Sequence, residues 1–254
     1  MTGLVRALER FLLPNACVVC DRAVEPQHPD GLVCGVCRAR LRPVGAGCAR
    51  CGQPRPPVGP CRFCADWPPE LRFVRSAVWL DDTARPIVHH LKYDGLPTLS
   101  ADMAGLVARR IPRPDRAHLV PIPLSARRLR DRGYNQAAAL ARALGTVWRL
   151  PVAERLLSRT RDTGTQTALT PEARLKNVAG AFVASAASAP AAGAGGRGGA
   201  AGEGSGVAVI LVDDVLTTGA TLVAAAKALG AAGWRTVGAV TFARALPYEL
   251  RAAG

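Results

Sequence analysis

Residues 207–222 restrict the fold more than any other part of the sequence. An uncharged apolar run at 207–212 has the length and composition of a strand buried on both faces, as in a parallel sheet. Asp213 and Asp214 follow it, and residues 217–221 (Thr-Thr-Gly-Ala-Thr) lead into a helix predicted over 222–229. The pattern predicts an α/β fold in which a strand–loop–helix unit lies at the carboxyl edge of a parallel sheet.

A phosphorylated sugar suits this arrangement. Backbone N–H groups and the positive end of a helix favour phosphate at the loop. Carboxylates repel phosphate, but Asp213 and Asp214 can accept hydrogen bonds from the hydroxyls of a sugar. The competing interpretation is a buried strand whose acids only cap a helix, but a cap needs one carboxylate, and two adjacent carboxylates repel each other.

The stretch resembles the phosphoribosyl pyrophosphate (PRPP) signature of type I phosphoribosyltransferases. The resemblance implies that Asp213 and Asp214 are the catalytic acids and bind the ribose 2′- and 3′-hydroxyls. It also implies a loop that holds the 5′-phosphate. The residues of that loop region are Leu216, Thr217, Thr218, Gly219, Ala220 and Thr221.

All eight cysteines form four C-x-x-C pairs before residue 65. The pairs are Cys17/Cys20, Cys34/Cys37, Cys48/Cys51 and Cys61/Cys64. Thirteen residues separate the first two pairs and nine the last two, so each interval allows a hairpin that brings two pairs together. Four thiolates around one ion make a closed structural zinc site, and we predict two such sites in sequential order. Interleaved pairing, disulfides and an iron–sulfur cluster are the alternatives that the sequence leaves open.

A basic segment follows a second apolar strand, predicted over 118–124. It carries four arginines against one acid, and a helix is predicted over 135–145. Guanidinium groups beside a strand end suit a pyrophosphate or a nucleic-acid backbone, and Tyr134 could stack on a base. A solvated charge run is the alternative. The predicted anion loop comprises Leu124, Ser125, Arg127, Arg128 and Arg132.

Residues 159–177 are polar and weakly periodic, which predicts a loop that closes over a phosphate site as a lid. Its candidate contacts are Arg159, Gln166 and Arg174. Residues 185–206 are nearly all Ala, Gly and Ser and predict a flexible insertion. The G-x-G-x-x-G pattern within it lacks a preceding strand and a following helix, so we do not interpret it as a dinucleotide site.

The remaining pattern predicts strands at 74–80, 181–184 and 236–242 and helices at 85–93 and 99–111. His28 is interpreted as a loop residue. His89 and His90 are interpreted as satisfied or surface residues because neither has a partner at metal-ligand spacing. Lys92 and Tyr93 come just after them, and a contact of either with substrate is a hypothesis.

The net charge of +14 favours anionic partners, although codon bias explains why 30 of the 33 basic residues are Arg. The apolar stretch 4–13 contains charges and predicts a short amphipathic helix. No uncharged run reaches the length of a membrane span, and we expect a cytoplasmic protein.

Taken together, the four cysteine pairs, Pro121-Ile-Pro-Leu, Arg132-Gly-Tyr-Asn-Gln, the 159–177 loop and the acid signature resemble the ComF family. That family joins a double zinc ribbon to a phosphoribosyltransferase-like domain and is associated with competence and DNA uptake. The resemblance implies ribbons within 1–68, an α/β domain over 71–254, two structural Zn²⁺ ions, and PRPP with Mg²⁺ at the pyrophosphate.

Two functions follow as hypotheses. The first is a protein that binds PRPP and Mg²⁺, and single-stranded DNA, with DNA-uptake or helicase-type proteins as further partners. The second is an active phosphoribosyltransferase that transfers ribose 5-phosphate to a nitrogenous base, and the resemblance favours an enzyme whose acceptor it does not name. Catalysis in that chemistry is chiefly positioning and charge stabilisation, and we identify no general base.

Overall fold

A sheet of four parallel strands forms the centre of the computed structural model, which describes residues 15–24, 31–54, 59–162, 178–186, 207–234 and 237–246. The strand order is β1-β6-β5-β2, and two short antiparallel strands, β3 and β4, form a second sheet. The strands are β1 (Leu71–Trp79), β2 (Ala117–Pro121), β3 (Leu157–Arg159), β4 (Phe182–Ala184), β5 (Ala208–Leu216) and β6 (Val237–Arg244).

Helices occupy the connections between the strands, except the first, which lies in the cysteine-rich segment before β1. They are α1 (Gly35–Arg40), α2 (Ala84–Tyr93), α3 (Leu99–Arg110), α4 (Ala126–Arg132), α5 (Gln136–Trp148) and α6 (Ala220–Ala231). Three of them begin at side-chain caps: Cys34 accepts from the N–H of Cys37, Ser125 from that of Arg128, and Asn135 from that of Ala137. The predicted α/β class with a parallel sheet is therefore confirmed.

β5 and β6 are the central strands, and both are apolar because helices or strands cover them on each side. Every residue of β6 is buried. β5 is longer than the apolar run predicts: the pairing with β6 continues through the acid pair, with Asp213 opposite Thr241 and Val215 opposite Ala243. The two carboxylates therefore lie on a strand end rather than on a loop, and their backbone is fixed by the sheet.

The helix predictions for 85–93 and 99–111 are confirmed within two residues. The strand predicted over 118–124 ends earlier, at Pro121. Ile122 still donates its N–H to Val212, but Pro123 has no N–H to continue the ladder. The arginine segment that we predicted as a loop is the helix α4, and all seven of its residues are at least partly exposed.

The cysteine-rich segment lies along the outer edge of β1. Pro43 bridges to Val78, and the N–H of Trp79 donates to the carbonyl of Arg42 over 2.9 Å. Nearer the start of β1, the N–H of Val74 donates to the carbonyl of Arg50 over 2.7 Å. The segment thus covers an edge that would otherwise expose unpaired backbone groups.

Two polar anchors hold this segment in place. The guanidinium of Arg50 donates to four carbonyls on the approach to β1, those of Cys64, Trp67, Pro68 and Leu71. On α3, Asp102 accepts from the N–H of Leu32 over 2.7 Å and lies 3.7 Å from the guanidinium of Arg38. Both anchors join cysteine-rich backbone to the α/β core.

Some predictions lie outside the described residues: the helix at 4–13, His28, Gln166 and Arg174 of the lid, and residues 187–206 of the insertion. Among the helices that the structure describes, none has the length and apolar composition that a membrane crossing requires.

Candidate functional site

A cleft of about 740 Å³ opens at the carboxyl edge of the central sheet. Its floor comes from the end of β5 and the loops that follow β2 and β5. Its two walls come from α2 on one side and from α4 with the start of α5 on the other. The volume lies within the range of ordinary small-molecule sites, and the position is the one where open α/β sheets bind ligands.

The acid pair forms part of the floor. Asp214 is 3% exposed, and Asp213 accepts a hydrogen bond from the N–H of Asp214 over 2.9 Å. The amide of Gln136, at the start of α5, is 3.5 Å from Asp214 Oδ1. Because the backbone of both acids belongs to β5, their carboxylates are held at fixed positions in the cleft.

Lys92 crosses the cleft from α2 and contacts the acid pair. Its Nζ lies 2.5 Å from Oδ2 of Asp214, and the two side chains are 23% and 4% exposed. The sequence alone gave Lys92 no defined role, since the residues it meets are more than 120 positions away. The structure shows that it is the cationic partner of Asp214.

The charges of these three groups depend on one another. Burial and the charge of Asp214 raise the pKa of Asp213 well above that of an ordinary aspartate. Burial alone would also raise the pKa of Asp214, but the ammonium of Lys92 outweighs it and the pKa is lowered. Burial likewise works against the charge of Lys92, and the attraction of Asp214 outweighs it, so the pKa of Lys92 is raised. Lys92 and Asp214 therefore form a charged pair, and Asp213 is the group that holds a proton most readily.

A chain of side-chain contacts links the acid pair to the mouth of the cleft. The guanidinium of Arg132 donates to Gln136, whose amide faces Asp214. The same guanidinium lies 5.3 Å from the ring centre of Tyr93, which is 67% exposed. The mouth therefore presents an aromatic ring beside a cation, above an anionic floor.

The predicted phosphate loop joins β5 to α6. Gly219 is in the left-handed conformation (φ +80°) directly before the first residue of α6, and Thr217 and Thr221 line the cleft. Leu216 is 1% exposed and packs in the core, so its side chain is not presented to a ligand. Thr218 accepts a hydrogen bond from the N–H of Ala220 over 3.4 Å, which stabilises the turn.

The members of the predicted anion loop have different positions. Leu124, Arg128 and Arg132 line the cleft. Ser125 caps α4 and is buried, whereas Arg127 is exposed and lies 3.8 Å from Asp131.

Arg159, the described member of the predicted lid, also lines the cleft. Burial and the positive charge of Arg128 lower the pKa of its guanidinium. Those two arginines therefore face the same space.

The wall formed by α2 is the part of the site that the sequence analysis missed. Its cleft-facing residues recur at helical spacing, which is the signal that could have revealed it. They are Arg85, Val88, His89, Lys92 and Tyr93. Asp94, which follows the helix, lies 2.6 Å from the imidazole of His90 and 3.7 Å from that of His89.

Tyr134, which its place in the arginine segment suggested as a stacking aromatic, packs toward α2 in the structure. Its hydroxyl donates to the carbonyl of Leu91, and its ring packs against the apolar core. The exposed ring at the cleft mouth is Tyr93 instead. The correction arises because Tyr134 follows the left-handed Gly133, where the chain turns back toward α2.

Two groups of four thiols lie beside the α/β core. The first is Cys17, Cys20, Cys34 and Cys37; the second is Cys48, Cys51, Cys61 and Cys64; within each, all sulfurs lie within 4.8 Å of one another. The structure therefore groups the pairs sequentially, and the interleaved alternative is wrong.

The spacing of the sulfurs fits zinc. Three of the Sγ–Sγ distances are 3.6, 3.7 and 3.8 Å, far longer than a disulfide bond of about 2.05 Å. A zinc–sulfur distance of about 2.3 Å places the sulfurs of a tetrahedral site about 3.8 Å apart. Each group therefore has the donor set and size of a closed structural zinc centre.

The surroundings of the thiols favour thiolate at particular positions. Burial opposes ionisation of Cys48, but the N–H groups of Cys51 and Arg50 donate to its sulfur and lower its pKa to about 6. In the first group burial likewise opposes ionisation of Cys17, and backbone donors led by Cys34 lower its pKa to about 7. Backbone donors thus prepare one thiolate in each group for a metal ion.

Two family models match the chain. The model described as "Double zinc ribbon domain" matches residues 8–65, and the one described as "Phosphoribosyl transferase domain" matches residues 129–251. The fold and the site thus define a protein that joins a double zinc ribbon to a phosphoribosyltransferase domain.

Curated relatives match this chain over most of their length. "DNA utilization protein YhgH" of Salmonella typhi is 30% identical over 239 residues, which are 89% of this chain and 95% of the relative. "Competence protein ComFC" of Bacillus subtilis (strain 168) is 28% identical over 84% of this chain and 88% of its own. "Competence protein F" of Haemophilus influenzae is 25% identical over 84% of both. The chain belongs to the ComF family.

Proposed function

We propose that the cleft binds PRPP together with Mg²⁺. The observation that carries the proposal is the placement of the buried acid pair at the end of β5, beside a Thr-lined turn at a helix N-terminus. In this assignment Asp213 and Asp214 accept the ribose hydroxyls, and the 217–221 turn receives the 5′-phosphate. Arg128 and Arg132 face the pyrophosphate from the opposite wall.

The residues present fit such a ligand because the cleft separates its charges. The carboxylates lie on the floor, where they attract hydroxyl donors and cations and repel phosphates. The guanidinium groups lie on the wall, where they attract phosphates. Mg²⁺, when bound with PRPP, neutralises pyrophosphate oxygens. The side chains of the cleft orient the sugar and exclude water from it.

This proposal is tested by calorimetry of Mg²⁺·PRPP with the zinc-loaded full chain. Asp213→Asn and Asp214→Asn keep the size of the side chains and remove the acceptor charge, so we expect binding to be lost. Arg127→Ala is the control, because Arg127 is exposed outside the cleft. Equal affinity of the wild type and both acid variants would contradict the assignment.

We also propose that the chain binds single-stranded DNA through α4 and the cleft mouth. Arg127 and Arg130 are exposed on α4, and Leu129 is 44% exposed between them. Tyr93 adds an exposed ring beside the guanidinium of Arg132. Guanidinium groups with an adjacent aromatic are the features that hold a single strand without reading its sequence.

The names of the relatives agree with this second proposal, since they refer to DNA utilisation and competence. We extend that role to this chain as a hypothesis: it acts in the uptake or use of DNA, with the strand or a DNA-handling protein as its partner. PRPP binding in the cleft and strand binding on α4 involve neighbouring surfaces, so each ligand is expected to affect the other.

Strand binding is measured by fluorescence anisotropy with an oligonucleotide of about 20 nucleotides at several salt concentrations. Arg127→Glu/Arg130→Glu should weaken binding and flatten its salt dependence. Arg72→Glu/Arg109→Glu is the matched control, because it changes the charge equally at exposed positions outside the cleft. Equal loss in both double variants would indicate general attraction to a basic protein rather than a site on α4.

The third proposal is catalysis, in which a nitrogen nucleophile displaces pyrophosphate at the ribose C1. The cleft can contribute positioning and charge stabilisation to such a step. Incubation with PRPP, Mg²⁺ and a panel of nitrogenous bases, with pyrophosphate release as the readout, tests it. Release with one base and not with the others would identify the acceptor; no release with any base, in protein that binds PRPP, would favour a binding protein.

A further inference from the structure

The ammonium of Lys92 lies where a cation at the acid pair would have to lie. Its Nζ is 2.5 Å from Asp214 Oδ2, and the charges of both Asp214 and Asp213 act on it. Gln136 holds the other oxygen of Asp214, so the carboxylate faces Lys92 on one side and an amide on the other. The Lys92–Asp214 contact is therefore a closed pair inside the cleft.

Lys92 differs from the other cations of the cleft in its chemistry and its reach. Arg85, Arg128 and Arg132 also line the cleft, but Arg132 is already engaged by Gln136 and the ring of Tyr93. A lysine carries a compact point charge on a flexible four-carbon stem, which can leave one anion for another without moving its helix. Its side chain is also the more exposed partner of the pair.

We propose that Lys92 occupies, in the free protein, the cation position at Oδ2 of Asp214 that the divalent ion of the incoming ligand takes over, while Oδ1 of Asp214 and the carboxylate of Asp213 remain acceptors for the ribose hydroxyls. Resting on the proposed function, this makes Lys92 a positioning residue that keeps free divalent ions out of the cleft. The ion then enters only with an anionic ligand, because that ligand supplies new partners for the displaced ammonium. The ligand must therefore bring a divalent ion and must also supply anionic groups for Lys92. A sugar diphosphate or triphosphate carrying its own metal ion is the class of ligand that does both.

The physical reason is the balance of charge on the floor. A lone divalent ion at Asp214 would leave the ammonium of Lys92 displaced, without a partner and close to a second positive charge. An ion that arrives with phosphates adds negative charge to the cleft, so Lys92 can pair with a phosphate oxygen instead. Removing the ammonium should therefore convert Asp214 into an open site for a divalent ion.

The first test uses Mn²⁺ alone, monitored by electron paramagnetic resonance on the zinc-loaded full chain. Lys92→Met should bind Mn²⁺ at least about tenfold more tightly than the wild type. Lys92→Arg, which keeps the charge, should bind Mn²⁺ as weakly as the wild type. Lys92→Met/Asp214→Asn should not show the higher Mn²⁺ affinity of Lys92→Met. Equal Mn²⁺ binding by the wild type and Lys92→Met would overturn the proposal.

The second test follows the wild type and remains informative if Lys92→Met does not fold. The chain has three lysines, Lys92, Lys176 and Lys227, so nitrogen-detected NMR of labelled lysine ammonium groups gives few signals. The Lys92 signal, assigned by its absence in Lys92→Arg, should stay unchanged with Mg²⁺ alone and shift with Mg²⁺ and PRPP together. A shift with Mg²⁺ alone, or no shift in protein saturated with PRPP, would contradict the exchange.

The outcomes separate this proposal from the proposed function. If calorimetry finds no PRPP binding while the Mn²⁺ difference between Lys92→Met and the wild type persists, the assignment of PRPP is wrong and the role of Lys92 stands. If PRPP binds, but Lys92→Met binds Mn²⁺ no more tightly than the wild type and the Lys92 signal does not shift with PRPP, the role of Lys92 is wrong and the PRPP site stands.

Discussion

The indole of Trp67 packs against Gly219 of the phosphate turn. A methyl group placed on the α carbon of Gly219 would lie 3.0 Å from Cζ2 of Trp67, and Gly219 has a φ of +80°. Trp67 follows the last cysteine of the second thiol group by three residues and is 8% exposed. The contact between Trp67 and Gly219 therefore joins the second thiol group to the phosphate turn.

Gly219→Ala should distort the turn for two reasons, the left-handed backbone and the contact with Trp67. We expect a loss of about 1–2 kcal/mol in stability and weaker Mg²⁺·PRPP binding. Trp67→Ala removes the close contact but leaves the backbone strain. If the double variant binds PRPP no better than Gly219→Ala, strain alone determines the effect; partial recovery would show that the indole restricts the turn.

Loss of zinc from the second group should weaken ligand binding more than loss from the first. Cys64→Ser removes a ligand from the group next to Trp67, whereas Cys37→Ser affects the group that packs toward α3. Zinc content, thermal stability and PRPP affinity are measured for both variants. If both variants lose the same amount of zinc and the same PRPP affinity, the contact between Trp67 and Gly219 does not carry the effect of zinc loss to the phosphate turn.

Arg244 should be one of the most sensitive positions outside the cleft. It ends β6, is 1% exposed, donates to the carbonyl of Cys51 over 2.6 Å and lies 4.6 Å from the ring centre of Phe63. Arg244→Met should destabilise the protein by about 2–3 kcal/mol, because it leaves buried acceptors unpaired. Denaturation at saturating zinc measures the change, and Arg72→Met on the exposed face of β1 should cost little.

PRPP affinity should increase as pH rises through the raised pKa of Asp213. The pKa of Asp213 is raised by burial and by the charge of Asp214, so Asp213 is protonated where an ordinary aspartate is ionised. A sugar hydroxyl that donates to Asp213 needs the ionised form, so binding releases a proton, and affinity increases as pH rises through the raised pKa.

Calorimetry at a series of pH values, in buffers of different ionisation enthalpy, measures this proton release. The titration of PRPP itself is measured separately in the same buffers and subtracted, so the remaining proton release belongs to the protein. If no proton release remains after this subtraction, Asp213 does not change its protonation on binding.

The exposed ring at the cleft mouth should contribute to strand binding. Tyr93→Ala should weaken the binding of single-stranded DNA by about 1–3 kcal/mol if a base stacks on the ring. Tyr134→Phe is the matched control, because the hydroxyl of Tyr134 contacts Leu91 rather than the cleft. Anisotropy at one fixed salt concentration distinguishes the two, and an equal effect of both variants would exclude a specific stacking role for Tyr93.

Local patterns predicted much of this protein. The uncharged run before Asp213, the spacing of the cysteine pairs and the helical spacing over 85–93 each depend on neighbours in sequence. They therefore indicated the parallel sheet, the zinc groups and most helices without tertiary information. The arginine segment was mistaken for a loop because its apolar content is too low to show a buried helical face, and α4 indeed buries none of its residues.

By itself, the sequence determined the chemistry that is available: two adjacent acids after a buried strand, a threonine-rich turn, an arginine-rich segment and four thiol pairs. Only the tertiary structure decided which of these groups meet. Lys92 reaches Asp214 and Trp67 reaches Gly219 because parallel pairing of β1, β6 and β5 brings segments more than 100 residues apart to one sheet edge. Such contacts depend on strand order and register, which no local pattern of residues specifies.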